Sequence, residues 1–149
     1  NSGSTKRLGE GRGMAIRVAR TTSRRTVQKY KVAMMDIETD NNKLHICQPD
    51  GVGRDVTFKW PISQALVCGE VVVVRIDPPV GACDNRNVYG VAPSGEIVWQ
   101  IEPIKHSYAD SPYTGMSLNS EGAVLSNWDG ANVVVEPATG RIIRQYQGK

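Results

Sequence analysis

The sequence predicts an all-β, mainly antiparallel domain, a meander of hairpins forming a twisted sheet, a barrel or a partial-propeller-like sandwich, with at most one short helix. Three observations carry this. Valines recur in runs, Val71 to Val74 and Val133 to Val135, and β-branched side chains pack best on a pleated surface. Short alternating apolar segments are separated by clusters of Gly, Pro, Asn and Asp, the punctuation of hairpins. Finally, residues 87–100 align without gaps to residues 132–145, both matching N-V-x6-G-x-I-x2-Q, so a supersecondary unit repeats.

In chain order, residues 1–25 read as a basic flexible arm and residues 26–149 as a single β domain. Residues 1–31 carry nine Lys or Arg against the single acid Glu10, whereas the remainder carries nine bases and fourteen acids. The net +3 therefore joins a basic arm to an acidic body, which suits a nucleic-acid contact, a membrane-surface contact or a tail folded on its own domain. Residues 1–13 hold four glycines and almost nothing apolar, and Met14 after them is expected as a native start, with residues 1–13 as upstream residues. A strand is expected from Thr26 to Glu38, a turn at Asp40-Asn41-Asn42 and a returning strand from Lys43 to Gln48. After the loop Pro49 to Gly53, the alternation of Val56, Phe58 and Trp60 marks a third strand, stopped by Pro61. Ile62 to Leu66 has some helical character, about one turn. Glu70 to Ile76 is a strand apolar on both faces, expected centrally with cover on each side.

The repeats at 87–100 and 132–145 each read as a strand, a turn closed by Gly95 or Gly140, and a returning strand. They lie 45 residues apart, and another 45 back reaches Asn42 followed by Pro49-Asp50-Gly51, a degraded third copy. Pairing Ala92 with Glu96 sets Tyr89 opposite Trp99 and Val91 opposite Ile97. The same register in the second copy places Val134, Glu136, Ile142, Arg144 and Tyr146 on one face, and Val133, Val135, Ile143 and Gln145 on the other. The first hairpin is expected inside the sheet and the second near an edge, with Glu136 and Arg144 pairing in solvent. Between them, Ala123 to Asn127 is a strand and Trp128-Asp129-Gly130 a tight turn.

These hairpins resemble the blade elements of pyrroloquinoline-quinone-type β-propellers, in which a strand, an acidic-x-x-Gly turn and a returning strand end near a Trp. Residues 88–99 carry the likeness best, and residues 122–143 a longer version that has Arg144 where the first copy has Trp99. The resemblance implies a strand arrangement and no quinone chemistry, and a closed propeller needs about four or more blades of ~40 residues. The arrangement of Phe58 to Ile62, the Val-rich strand, Asn87 to Val91 and Ile97 to Ile101 also resembles small bacterial proteins of mobile gene cassettes (integron cassettes) and toxin-immunity loci. That resemblance implies a stand-alone accessory binding protein and not an enzyme.

The chemistry legible in the residues is sparse. Cys47, Cys68 and Cys83 form no C-x-x-C knuckle and read as buried thiols of a cytoplasmic chain. No apolar run approaches the ~20 residues of a membrane span. His45 and Cys47 share a strand face without any metal-motif spacing, and no metal or cofactor is expected. Aromatic residues flank the long loop Glu102 to Gly115, and such a loop can line a cleft for a small ligand or a protein. The expected binding residues are His106, Tyr108, Asp110, Tyr113 and Trp128, acting without catalysis. One alternative is non-specific nucleic-acid binding by Arg17, Arg20, Arg24 and Arg25; a second is a hydrolase centred on His106 and nearby carboxylates. An edge strand at 132–136 or 141–146 would permit a homodimer.

Overall fold

The computed structural model describes residues 16–18, 35–106 and 108–148. The expected strand residues 26–34, and Arg20, Arg24 and Arg25, lie outside the described residues. Twelve strands appear among those described and no helix: β1 (Ile16–Val18), β2 (Asp36–Asp40), β3 (Lys43–Cys47), β4 (Gly53–Thr57), β5 (Ile62–Cys68) and β6 (Val71–Ile76). The remainder are β7 (Val88–Val91), β8 (Ile97–Gln100), β9 (Tyr113–Asn119), β10 (Gly122–Asn127), β11 (Ala131–Val135) and β12 (Ile142–Gln147).

They form three open antiparallel sheets, ordered β2-β3-β4, β1-β5-β6-β7-β8 and β12-β11-β10-β9, none closed into a barrel. The all-β expectation holds, in its sandwich form. Ile62 to Leu66, expected as a helical turn, belongs to β5 and pairs with β6. Its Ala65 and Val67 enter one core while Leu66 enters the other, a period-two alternation that a helix could not present to two sheets. Residues 16–18, expected within the arm, pair with β5 through Ile16–Cys68 and Val18–Leu66.

The five-stranded sheet is the middle layer. On one side, Val72, Val74 and Ile76 of β6 meet Ile37, Leu44, Ile46, Val56 and Phe58 of the three-stranded sheet. On the other, Val71 and Val73 meet Tyr113, Met116, Leu125, Val133 and Val135 of the four-stranded sheet. The valine run is thus covered on both faces, as its doubly apolar pattern requires.

The repeat is structural, and it includes the degraded copy. Gln48, Ala92 and Glu136 each donate a backbone N–H across a turn, to Val52, Glu96 and Arg141. Gly51, Gly95 and Gly140 close these turns at positive φ, 91°, 92° and 76°, a region where a Cβ would be strained. Asn42 and Asn132 each clamp the carbonyl 16 residues ahead, Phe58 at 2.8 Å and Gly148 at 2.7 Å. Each sheet therefore contributes one copy of the same hairpin.

Both later hairpins depart from the simple register at one equivalent position. Val91 faces Ile97 as expected, but Gly90 faces Trp99 and Tyr89 faces Gln100, leaving Val98 as the extra residue of a bulge. In the second copy Val135 faces Ile142 and Val134 faces Arg144, leaving Ile143, 45 residues after Val98, in the same place. Ile142 accordingly joins the core beside Val135, not the Val134 face. The bulge has a steric reason. Glycine at 90 provides the space in which the Trp99 indole lies, so a Cβ there would collide with the ring, and a bulge re-aims a side chain in this way. A Cβ at Gly140 would collide with the same ring, and the indole N–H donates to the Pro137 carbonyl at 2.7 Å. Trp99 thereby locks the first hairpin onto the turn of the second.

Among the described residues the first hairpin is not interior: β8 is a sheet edge, as is β12, and Ile97, Val98, Ile143 and Tyr146 on these strands are exposed. Arg144 pairs with Glu121 through two contacts, 2.8 and 3.1 Å, while Glu136, held at its turn, pairs with Arg141 at 3.6 Å. Of the thiols only Cys68 is buried; Cys47 is half-buried and Cys83 exposed, and none of the three is in a disulfide.

Candidate functional site

The connection from β8 to β9 runs from the middle sheet to the four-stranded sheet, and polar side chains hold it in place. Asn85 donates to the Ala109 carbonyl at 2.8 Å and accepts the Ser111 N–H at 2.7 Å. The Cys83 thiol also donates to the Ala109 carbonyl, at 3.2 Å. Ser111 Oγ donates to the Tyr108 carbonyl at 2.8 Å. Buried Asn127 donates to the Ser111 carbonyl at 2.8 Å, and the Trp128 N–H reaches the Pro112 carbonyl at 2.9 Å. Beneath, buried Asn87 donates to the carbonyls of Ile76 and Tyr113 and accepts the Tyr113 N–H at 2.9 Å. Each buried backbone group satisfied this way would otherwise be costly.

The β10–β11 turn meets this loop. Asn127 Oδ1 accepts the Asp129 N–H, Asp129 Oδ1 accepts the Ala131 N–H, and Gly130 completes the turn with φ of 95°. The result is a cleft of about 400 Å³ lined by Tyr108, Asp110, Pro112 and Trp128. The rings of Tyr108 and Trp128 meet edge to face, centroids 5.4 Å apart at 80°, and remain 58% and 59% exposed.

Of the five residues expected from the sequence, three line the cleft: Tyr108, Asp110 and Trp128. Tyr113 does not. It opens β9 and is buried in the core between the middle and four-stranded sheets, because the bulge after Ser126 sets it opposite Asn127. Burial, reinforced by the Asp129 carboxylate, raises its phenol well above the ordinary range. His106 is not among the described lining residues; its Nδ1–H is directed to Asp129 Oδ2 at 3.1 Å with both side chains buried. A carboxylate only accepts, so it holds the imidazole with the proton on Nδ1. Here His106 fastens the loop to the turn. Pro112 and the anchoring residues Asn85, Asn87 and Asn127 were not expected as site residues, Asn87 standing out only as the first residue of the repeat. Their signal was the placement of amides at strand ends around the loop, where only side-chain bonds can satisfy a buried connection.

Other chemistry recedes. His45 faces Asp55 across the β3–β4 ladder and contacts it on the solvent side. Among the described residues no group of three His, Cys, Asp or Glu is arranged to hold a metal ion, and no helix is long and apolar enough to cross a membrane. Arg17 falls in β1, opposite Val67.

Fold and site define an all-β protein of three stacked antiparallel sheets carrying an exposed aromatic cleft at one inter-sheet loop. Residues 34–146 match the family described as Domain of unknown function (DUF7957), and the chain belongs to it. No curated protein matches the chain. Two solved structures share the fold, both computationally designed. The Ika8 protein is 15% identical with a TM-score of 0.53, over 82% of this chain and 36% of that one. The Ika4 protein is 16% identical with a TM-score of 0.54, over 94% and 77%. The chain thus spans about a third of the length of Ika8.

Proposed function

We propose that this protein is a non-catalytic binding module that takes a protein or small ligand at the Tyr108–Trp128 cleft. One observation carries the reading: two large aromatic rings are held in solvent by a loop whose backbone is fastened from beneath by Asn85, Ser111 and Asn127. Exposing such rings forgoes hydrophobic stabilisation, and a pre-formed aromatic cleft with few polar groups is the usual form of a ligand site. A cytoplasmic setting accords with three cysteines outside any disulfide. The test is an amide-resolved NMR titration of the full chain with a mixed panel of sugars, nucleosides, amino-acid amides and short peptides. Binding should shift the resonances of residues 108–111 and the Trp128 indole, and Tyr108→Ala with Trp128→Ala should remove it. A panel that shifts nothing there, or binds the double variant equally, refutes the reading.

A homodimer through the β12 edge is a second, compatible reading, favoured by Ile143 and Tyr146 lying exposed on that edge strand. Light scattering during size exclusion should find a dimer that Ile143→Lys disrupts, and monomer at all concentrations would end it.

A further inference from the structure

We infer that the cleft is a receptor for a cationic side chain, the arginine guanidinium of a basic peptide segment, with Asp110 as its counter-charge. The inference rests on the binding reading above and narrows it to one ligand chemistry.

The geometry comes first. Rings at 80° with centroids 5.4 Å apart leave a corner walled by a face of each, and aromatic faces are the negative pole of the ring quadrupole. A cation in that corner meets two such faces at once. The cleft's other lining residues are Pro112, which has no charge, and Asp110, which is exposed. Among the described lining residues the one formal charge is therefore the Asp110 carboxylate, of the same sign as the ring faces.

Two other aromatics among the described residues show what this chemistry does when a cation is at hand. Lys59 Nζ sits 4.6 Å from the Trp60 ring centroid, and the Arg144 guanidinium 5.0 Å from that of Tyr146. Among the described residues, no basic group covers Tyr108 or Trp128, and no cation pairs with Asp110. The corner thus offers the cation site that Trp60 and Tyr146 fill internally, with a carboxylate added. Arginine suits it better than lysine, because a planar guanidinium can stack on one wall while its fork reaches the carboxylate. A neutral sugar would stack on a ring but leave the Asp110 charge without a partner of opposite sign.

The test compares two isosteres on the full chain, N-acetylarginine amide and N-acetylcitrulline amide, which differ in charge and scarcely in shape. Shifts of the residue 108–111 amides and the Trp128 indole N–H report occupancy. The arginine amide should bind about five-fold or more tightly than the citrulline amide, and Asp110→Asn should reduce that preference to below about two-fold. Trp128→Ala should weaken the arginine amide while the remaining spectrum stays folded. Equal binding of the two amides overturns the cation inference and leaves the binding reading standing. No response to either, alongside a positive from the wider panel, overturns it in the same way; no response to anything removes both.

Discussion

Gly90→Ala should destabilise the protein by about 2–4 kcal/mol, and the effect should vanish or reverse once Trp99 is removed. The new methyl would enter space occupied by the indole. The ring cannot yield easily, since its other side lies against Gly140 and its N–H is bonded to Pro137. Overpacking of this kind costs about 1–3 kcal/mol, and loosening the indole bond adds about 1 kcal/mol. For a chain of this size each kcal/mol corresponds to a fall in Tm of about 2–4 °C. Trp99→Ala alone should cost about 3–5 kcal/mol through its cavity. In that background Gly90→Ala finds the space empty. Gly90 lies outside the positive-φ region, so its replacement should be neutral or stabilising by about 0.5–1 kcal/mol through the unfolded chain. The assay is a urea-denaturation cycle of the four proteins, reading a coupling of about 2–5 kcal/mol. Gly140→Ala is the internal control: its φ of 76° leaves a residual cost of about 1–2 kcal/mol even without the indole. Equal penalties for Gly90→Ala in both backgrounds would refute the account of Trp99 as the lock between the hairpins.

Asn87→Ala should cost about 2–4 kcal/mol in urea unfolding, because it strips partners from two carbonyls and one N–H in the interior. Stability should also fall in alkali. Burial pushes the Cys68 thiol from 9.0 to about 11, so the unfolded chain loses this proton before the folded one does. The Cys68 contribution is then complete below about pH 9 and is lost as pH rises through 11. Cys68→Ala should flatten the decline of the urea midpoint between about pH 8 and 10.5, and an unchanged slope would contradict the assignment. A thiol reagent should modify exposed Cys83 first and Cys68 only on unfolding, as mass spectrometry of the labelled peptides would show. Tyr108→Ala and Trp128→Ala should each alter stability by less than about 1 kcal/mol, in contrast to Trp99→Ala, as thermal melts would reveal.

Much of the architecture was legible because it is written locally. The alternation in Leu44 and Ile46, and the doubly apolar Val71 to Val74, follow from the backbone's period of two. Gly95 and Gly140 mark turns because positive φ suits a residue without a Cβ. The helical reading of Ile62 to Leu66 failed because a short apolar run has no period of its own to distinguish strand from helix. Tyr108, Asp110 and Trp128 were legible as candidates because aromatic residues beside a long loop between strands are unusual outside a core. Tyr113 was indistinguishable from Tyr108 at that level, since five residues along one segment separate a solvent-facing ring from a buried one.

The sequence by itself determined the class of fold, the hairpins with their glycine turns, the 45-residue repetition and the placement of the Val-rich strand between two layers. Each depends on neighbours within a few residues, or on a side-chain pattern that any sheet must honour. Tertiary structure decided the partners. It set Trp99 against Gly90 and Gly140, made β8 an edge, buried Tyr113, and brought Tyr108 to Trp128 and His106 to Asp129. The reason is that a single bulge displaces the pairing beyond it by one residue, and that the loop before β9 comes beside the β10–β11 turn only once β9 has paired with β10. Neither effect leaves a local pattern, because both are set by packing across the whole stack.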